Sequence, residues 1–417
     1  MNVTTVAAES MSSTMELRRR WPIVLAAALG VAMGTTGIPY YTFGVFMKPL
    51  AAEFGWTRSQ VGLGALFLHS GTFLLSPFLG HFVDKRGARG IALASLAGLG
   101  IALLLLAGSG PTLATYFGAW MLVALLGCGT TPLTWTRMIN QNFEKARGIA
   151  LGLALAGTGI ASIVGPRFCA YMIEAFGWRT AYVTLGLLAI LLVLPVIAFA
   201  SRSARSNGGG DRSALPGLTL RQAIATHHFA LIGLGIFCVI LAQAAAMIHL
   251  VPMLSDRGFA PAVAASLAGL MGFAVVVGRL LVGALVDRYH APRVALCFLP
   301  MPALAMLILL FVPGYGPTIL SILLLGLAAG AEVDLLAFLV SRYFGMRHYG
   351  VIYGVNLSIF ALGAGLGPSL AGLSFDRTGN YDLAMAIGAG LFMTGATLIG
   401  ALGRYPDLSH PDNEANT

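Results

Sequence analysis

The sequence predicts an all-α membrane protein of twelve transmembrane helices, arranged as two pseudo-symmetric six-helix bundles. Three observations carry that prediction. Of the 417 residues, 57% are hydrophobic and only 10% charged, whereas a soluble domain carries about 25% charged residues. Twelve unbroken apolar runs of about 19–25 residues are long enough to cross hydrocarbon as helices; a β-barrel would show short alternating strands instead. The second half of the chain also repeats the first at a spacing of about 202 residues, and a repeat of six helices plus six predicts two bundles related by an axis along the membrane normal.

The runs are 22–46, 59–82, 90–108, 112–136, 148–171, 179–200, 226–249, 262–286, 292–312, 316–340, 350–373 and 382–403. The first follows a basic flank, as in a signal peptide, but it is too long for a signal's apolar region and no small-x-small site closes it, so it reads as an uncleaved helix. Lys and Arg in the loops set the orientation. With both termini in the cytoplasm, 17 fall on the inner side and 5 on the outer side, and Arg137, Arg167 and Arg279 fall within or at the edges of spans. Topology thus accounts for the net charge of +9, and no nucleic-acid partner is needed to explain it. The partners expected are the lipid bilayer, a small organic anion and a proton, with the monomer as the working unit. The membrane expected is the cell inner membrane.

The repeat is visible in paired segments. "GHFVDKRG" (80–87) matches "GALVDRYH" (283–290), and "RGIALGLALAGTGIASIVGP" (147–166) matches "YGVIYGVNLSIFALGAGLGP" (349–368). Between the halves, 201–225 is rich in Ser, Gly and Arg and reads as a linker. The organisation expected is a cytoplasmic tail (1–21), a first bundle (22–200), a cytoplasmic linker (201–225), a second bundle (226–403) and a C-terminal cytoplasmic tail (404–417). Cys128, Cys169, Cys238 and Cys297 all lie within spans and show no metal-ligand spacing. No phosphate-cradling loop, HExxH or nucleophile elbow occurs, so neither a metal nor a cofactor is expected, and neither is an enzyme.

Several residues stand out against the apolar runs. Arg279 lies in the eighth span, where a guanidinium costs from about 2.5 kcal/mol upward. About eight residues, or about 12 Å of helix, separate it from Asp287, and its copy in the first half is Ser76. A guanidinium is always charged and binds a carboxylate in a two-pronged fork, so a visiting carboxylate would explain its presence; a structural ion pair or snorkelling to the inner face are the alternatives. In the tenth span, Glu332 and Asp334 are about 200° apart around the helix. One should face the cavity or the other bundle and the other a neighbour. A desolvated carboxylate there could carry a proton, or either could pair with Arg137. Tyr40, Tyr41, His69 and Asn356 are polar groups that could line a cavity. Gly80, Asp84 and Arg86, with Gly283, Asp287 and Arg288 in the copy, place a carboxylate at a helix end beside basic residues, an arrangement suited to a latch between helices.

Two six-helix halves with G-x-x-x-D-[KR] after the second and eighth helices resemble the major facilitator superfamily over nearly the whole chain. "FGVFMKPLAAEFGWTRSQV", "NFEKARGIALGLALAGTGI" and "YFGMRHYGVIYG" are similar to the monocarboxylate transporter and oxalate–formate antiporter branch. The resemblance implies alternating access by rocking of two bundles, a cytoplasmic conformational latch at the repeated Gly/Asp/Arg motif, substrate contacts from Tyr40 and Tyr41 on a cavity helix, and pairing of the substrate carboxylate with Arg279. The sequence departs from the branch at three places. Val275 stands one turn before the arginine where an aspartate is usual, Tyr41 stands where a lysine is usual on the first helix, and 350–373 has no lysine. One fixed positive charge points to a substrate with one carboxylate. The function expected is secondary transport of a small aliphatic, aromatic or lactone monocarboxylate, coupled to protons. The alternatives are an exporter of drugs or hydrophobic metabolites with the same fold, or a carboxylate exchanger.

Overall fold

Within hydrocarbon only the helix itself satisfies the backbone N–H and C=O groups, and each apolar run is accordingly helical. The structure is a computed structural model that describes residues 13–143, 145–204, 217–286 and 288–406; the side chains of 13, 76, 77, 80–86, 147 and 148 lie outside that description. The helices in chain order are α1 (Ser13–Met33 continuing as Ile38–Phe54), α2 (Arg58–Arg86), α3 (Ala88–Ala107), α4 (Leu113–Asn142), α5 (147–176), α6 (178–200), α7 (His227–Asp256), α8 (Pro261–Val286), α9 (Ala291–Phe311), α10 (Tyr315–Phe344), α11 (Tyr349–Thr378) and α12 (Asp382–Gly400). Ten helical runs among the described residues are long and apolar enough to cross a membrane. One of these, Ile149–Ala200, is α5 and α6 joined at a corner, and α2 completes the twelve. The corner is Gly177 at φ 83° and ψ 163°, a conformation that a side chain would strain.

Local chemistry sets several boundaries. Gly55, in the left-handed region at φ 68°, ends α1. Thr57 and Gln60 cap α2 reciprocally: Thr57 N donates to Gln60 Oε1 at 3.0 Å and Gln60 N to Thr57 Oγ1 at 3.3 Å. Two membrane helices are interrupted at mid-depth in matching places. α4 breaks at 128–131 and α10 at 330–331, positions related by the repeat. α1 breaks at 34–37, and Thr35 N there donates to Thr130 Oγ1 at the break in α4.

The side chains form two main cores, the first of which also takes in Ile248 of α7, and a small third cluster of Ile240, Ala244 and Ala364. The first core gathers residues 23–200 around Trp120, Trp135, Phe43 and Tyr182; the second gathers 223–402 around Tyr343, Phe344 and Phe392. Helix pairs that join them are α2 with α11, α5 with α8 and α1 with α7. The repeat maps α2 onto α8, α5 onto α11 and α1 onto α7, so the first two interfaces exchange and the third maps onto itself. That is the signature of a pseudo-two-fold axis. Close approach depends on glycine. A Cβ at Gly278 of α8 would lie 2.0 Å from Leu327 O of α10. Overpacking of this kind costs about 1–3 kcal/mol, so Gly278→Ala should lower the thermal unfolding temperature in detergent; an unchanged transition would contradict the α8–α10 packing.

With inner and outer named by the charge pattern, the outer side is closed. Asp256 of α7 accepts ion pairs from Lys48 of α1 at 2.6 Å and Arg58 of α2 at 2.5 Å. Asp376 of α11 accepts from the backbone N–H groups of Arg58 and Ser59, both at 3.0 Å, at the start of α2. Arg58 also lies 3.7 Å over the Phe375 ring and donates to Tyr381 Oη. Toward the inner ends, a Cβ at Gly152, Gly283, Gly350 or Gly354 would meet nothing within 4 Å among the described residues.

Candidate substrate site

The breaks in α1 and α10 bring polar residues to the middle of the membrane. The second segment of α1 starts at Ile38, so Tyr40 and Tyr41 occupy its first turn. The Tyr40 ring lies 5.4 Å from that of Tyr41 and 5.4 Å from that of His69 on α2. The second segment of α10 starts at Glu332, which places Glu332 and Asp334 in its first turn, where the positive end of the helix dipole favours a carboxylate.

Arg279 holds the centre. Its Nε lies 3.0 Å from Asp334 Oδ2, an ion pair whose N–H does not point along the hydrogen-bond line. Its Nη1 donates to Leu155 O and Thr158 Oγ1 of α5, each at 3.2 Å. Its Nη2 makes no hydrogen bond among the described residues. Gly330, just before Glu332, lets α10 reach α8 at this level: a Cβ there would lie 2.7 Å from Arg279 N. Tyr41 is within electrostatic reach of Arg279 and Glu332, and Tyr40 within reach of Glu332. Glu332 is only 2% exposed, and its Oε1 has no hydrogen-bond partner among the described residues.

The structure thus brings together Arg279, Asp334, Glu332, Tyr40, Tyr41 and His69. Glu332 and Asp334 differ in surroundings: Asp334 takes Arg279 as its partner, while Glu332 is buried. Asn356 is placed elsewhere. It is fully buried, its Nδ2 donates to Ile352 O, and its Oδ1 lies 3.8 Å from the Cβ position of Gly233 on α7. That is α7–α11 packing rather than a cavity wall. Of the repeated latch, Asp287 and the side chains at Gly80, Asp84 and Arg86 lie outside the described residues. Arg288 is exposed, and a Cβ at Gly283 would meet nothing within 4 Å among the described residues. No group of three metal-ligating side chains occurs among the described residues.

Thr158 and Tyr353 join the site without having been singled out in the sequence. Tyr353 interacts electrostatically with Asp334 and Arg279 and stacks on Tyr349 at 5.5 Å. Its signal was the Tyr349/Tyr353 spacing of one helical turn. Thr158 gave no signal, because a lone threonine in a small-residue helix reads as packing.

A family model described as Major Facilitator Superfamily matches residues 25–368. The chain belongs to the Major Facilitator Superfamily. Among curated members of the superfamily, it is 25% identical over 402 residues to "Monocarboxylate transporter 11" of Homo sapiens, covering 90% of this chain and 82% of that protein. It is 28% identical over 416 residues to the Mus musculus protein of the same name, covering 92% and 88%. It is 25% identical over 362 residues to an "Uncharacterized MFS-type transporter YcxA" of Bacillus subtilis (strain 168), covering 83% and 86%. Among solved superfamily structures, a bacterial homologue of the human lysosomal transporter Spinster, in an inward-facing and unoccupied conformation, superimposes with a TM-score of 0.67 at 18% identity. That match covers 91% of this chain and 94% of the other. The superfamily chain described here is therefore a multi-pass membrane transporter of the monocarboxylate-transporter-like branch.

Proposed function

We propose that this transporter moves a small organic monocarboxylate across the cell inner membrane by alternating access, coupled to protons, as a monomer with both termini cytoplasmic. The observation that carries the reading is Arg279: a guanidinium within the apolar eighth span, paired with Asp334 and with no hydrogen bond to Nη2 among the described residues. An empty site must balance the charge of Arg279, and Asp334 does so. When a substrate carboxylate arrives, two carboxylates would share one guanidinium, and like charges at this distance disfavour a second ionised group. Protonation of Asp334 removes the conflict. Proton and anion then enter together, and the net charge of the site is unchanged. Asp334 on α10 would in this way supply the carboxylate whose usual place one turn before the arginine is taken by Val275. Similarity to the monocarboxylate transporters supports the substrate class, and Tyr40 and Tyr41 supply an aromatic wall beside the site.

Glu332 is the second proton-holding group, because a buried carboxyl with an unpartnered oxygen is tolerated when neutral. It also favours a second reading, export of cationic hydrophobic compounds, for which a buried carboxyl rather than Arg279 would be the anchor. Coupling is tested in proteoliposomes. Asp334→Asn should abolish accumulation driven by a pH gradient yet leave exchange of internal for external substrate; Glu332→Gln reports its own share. Full gradient-driven uptake in both variants would make α10 structural and place the proton path elsewhere. A wild type that takes up cationic compounds but no monocarboxylate would favour the export reading.

A further inference from the structure

Arg279 is anchored from both bundles. Asp334 holds its Nε from α10, while Thr158 and the Leu155 carbonyl hold its Nη1 from α5 of the other bundle. The threonine is oriented for this task. It is 6% exposed, and its hydroxyl donates to Leu155 O at 2.9 Å, which spends its only proton and leaves its lone pairs for the guanidinium. The contact lies at the inner edge of a tight crossing of α5 and α8, where a Cβ at Gly159 would lie 2.0 Å from Val276 and one at Gly272 would lie 2.1 Å from Ser162 Oγ. At the matching edge of the pseudo-symmetric α2–α11 interface, the contact among the described residues is a neutral one, Ser358 Oγ to Phe73 O at 3.4 Å.

We propose that Thr158 is a positioning residue of the substrate site: with the Leu155 carbonyl, it fixes the rotation of the Arg279 guanidinium so that Nη2 is presented to the substrate carboxylate. This rests on the reading of Arg279 as the carboxylate site. A guanidinium has five donors in a rigid plane, so fixing Nε and Nη1 fixes where Nη2 points. The two anchors belong to different bundles, and the geometry of the anion site therefore depends on where the bundles stand relative to each other. Rocking that separates α5 from α8 at Thr158 frees the guanidinium to turn, loosening the grip on the anion without moving Asp334. Affinity and bundle position are linked through the Thr158 hydroxyl and the Leu155 carbonyl.

The test uses counterflow exchange of radiolabelled lactate, benzoate and lactone acids in proteoliposomes holding the full chain, with apparent KM and maximal rate measured separately. Thr158→Val keeps the shape and loses the acceptor; Thr158→Ser keeps the acceptor. Thr158→Val should raise KM about tenfold, the loss of one hydrogen bond to a charged group, with maximal exchange near wild type, and Thr158→Ser should restore KM. If the valine variant does not fold, Thr158→Ala against Thr158→Ser makes the same comparison. An unchanged KM without the hydroxyl, or a serine variant as impaired as the valine, overturns the proposal by showing a packing role. The two readings fail separately. If exchange requires Arg279 but is indifferent to the Thr158 hydroxyl, only the positioning role falls. If the wild type exchanges no acid of a lactate, benzoate and lactone-acid panel, or exchanges them equally well with Arg279→Ala, the carboxylate reading itself falls.

Discussion

Arg279→Ala should abolish exchange of the transported acid, and Arg279→Lys should leave a folded protein with transport reduced by one to two orders of magnitude. A charge-assisted hydrogen bond is worth roughly 1.5–3 kcal/mol, or about one to two decades in affinity. Lysine keeps the charge but loses the planar fork, and it cannot meet Asp334, Thr158 and a substrate carboxylate in the geometry seen around Arg279. The alanine variant leaves Asp334 without its partner. Asp334 retains 31% of its side-chain exposure, so this cost lies below that of a fully buried pair, and a double variant with Asp334→Asn should recover the lost stability without recovering transport. Equal transport by wild type and Arg279→Ala would remove the substrate role.

Arg58→Ala should open the outer side and suppress net transport. Arg58 pairs with Asp256, stacks on Phe375 and donates to Tyr381, and Tyr381 Oη lies 2.9 Å from His249 Nδ1, whose Nε2 lies 2.7 Å from Pro368 O. One side chain of the first bundle thus engages α7, α11 and the start of α12 in the second. Removing it takes away the guanidinium's bonds to Asp256 and Tyr381 and its stacking on Phe375, and leaves Asp256 to Lys48 and the backbone bonds of Arg58 and Ser59 to Asp376. Ser369, which reaches Ser59 O behind this knot, offers the readout. In a background without the four native cysteines, Ser369→Cys should react several-fold faster with a membrane-impermeant maleimide once Arg58 is alanine. Unchanged labelling together with unchanged transport would show that the knot does not hold the outer gate.

Much of the architecture was legible in the sequence because hydrocarbon leaves a chain so few choices. The unbroken apolar runs give the spans, and the 202-residue repeat gives two related bundles; which helices meet between them, α2 with α11, α5 with α8 and α1 with α7, is seen only in the structure. The break between the fifth and sixth spans coincides with Gly177. The break in α1 was not anticipated, although "GTTG" (34–37) carries its signal. Read alone, those residues pass as small packing residues; the break becomes intelligible only when Thr35 meets Thr130. The start of α1 was also set too late, at residue 22 against Ser13, because Arg18, Arg19 and Arg20 mark the edge of hydrocarbon but not the end of a helix.

The candidate site was legible as a set of unusual residues rather than as a geometry. Periodicity separated Glu332 from Asp334 but could not say that Asp334 meets Arg279, 55 residues away in sequence and one helix across. Asn356 looked like a cavity residue because polar groups in apolar runs are conspicuous, yet packing between α7 and α11 encloses it. The outer knot left no linear trace: Lys48, Arg58, Asp256 and Asp376 sit at four separate helix ends and read as ordinary loop charges. Only the fold brings them together.

The central claim is that Arg279 is there for a carboxylate, and ligand-dependent thermal stabilisation of the purified protein in detergent tests it without the complications of coupling. A panel of lactate, benzoate and lactone acids should raise the unfolding temperature of the wild type for at least one member, in a concentration-dependent way, and leave the folded Arg279→Ala variant unmoved. An alanine variant stabilised by the same acid at the same concentration would contradict the account and leave Arg279 as a structural charge between Asp334 and Thr158.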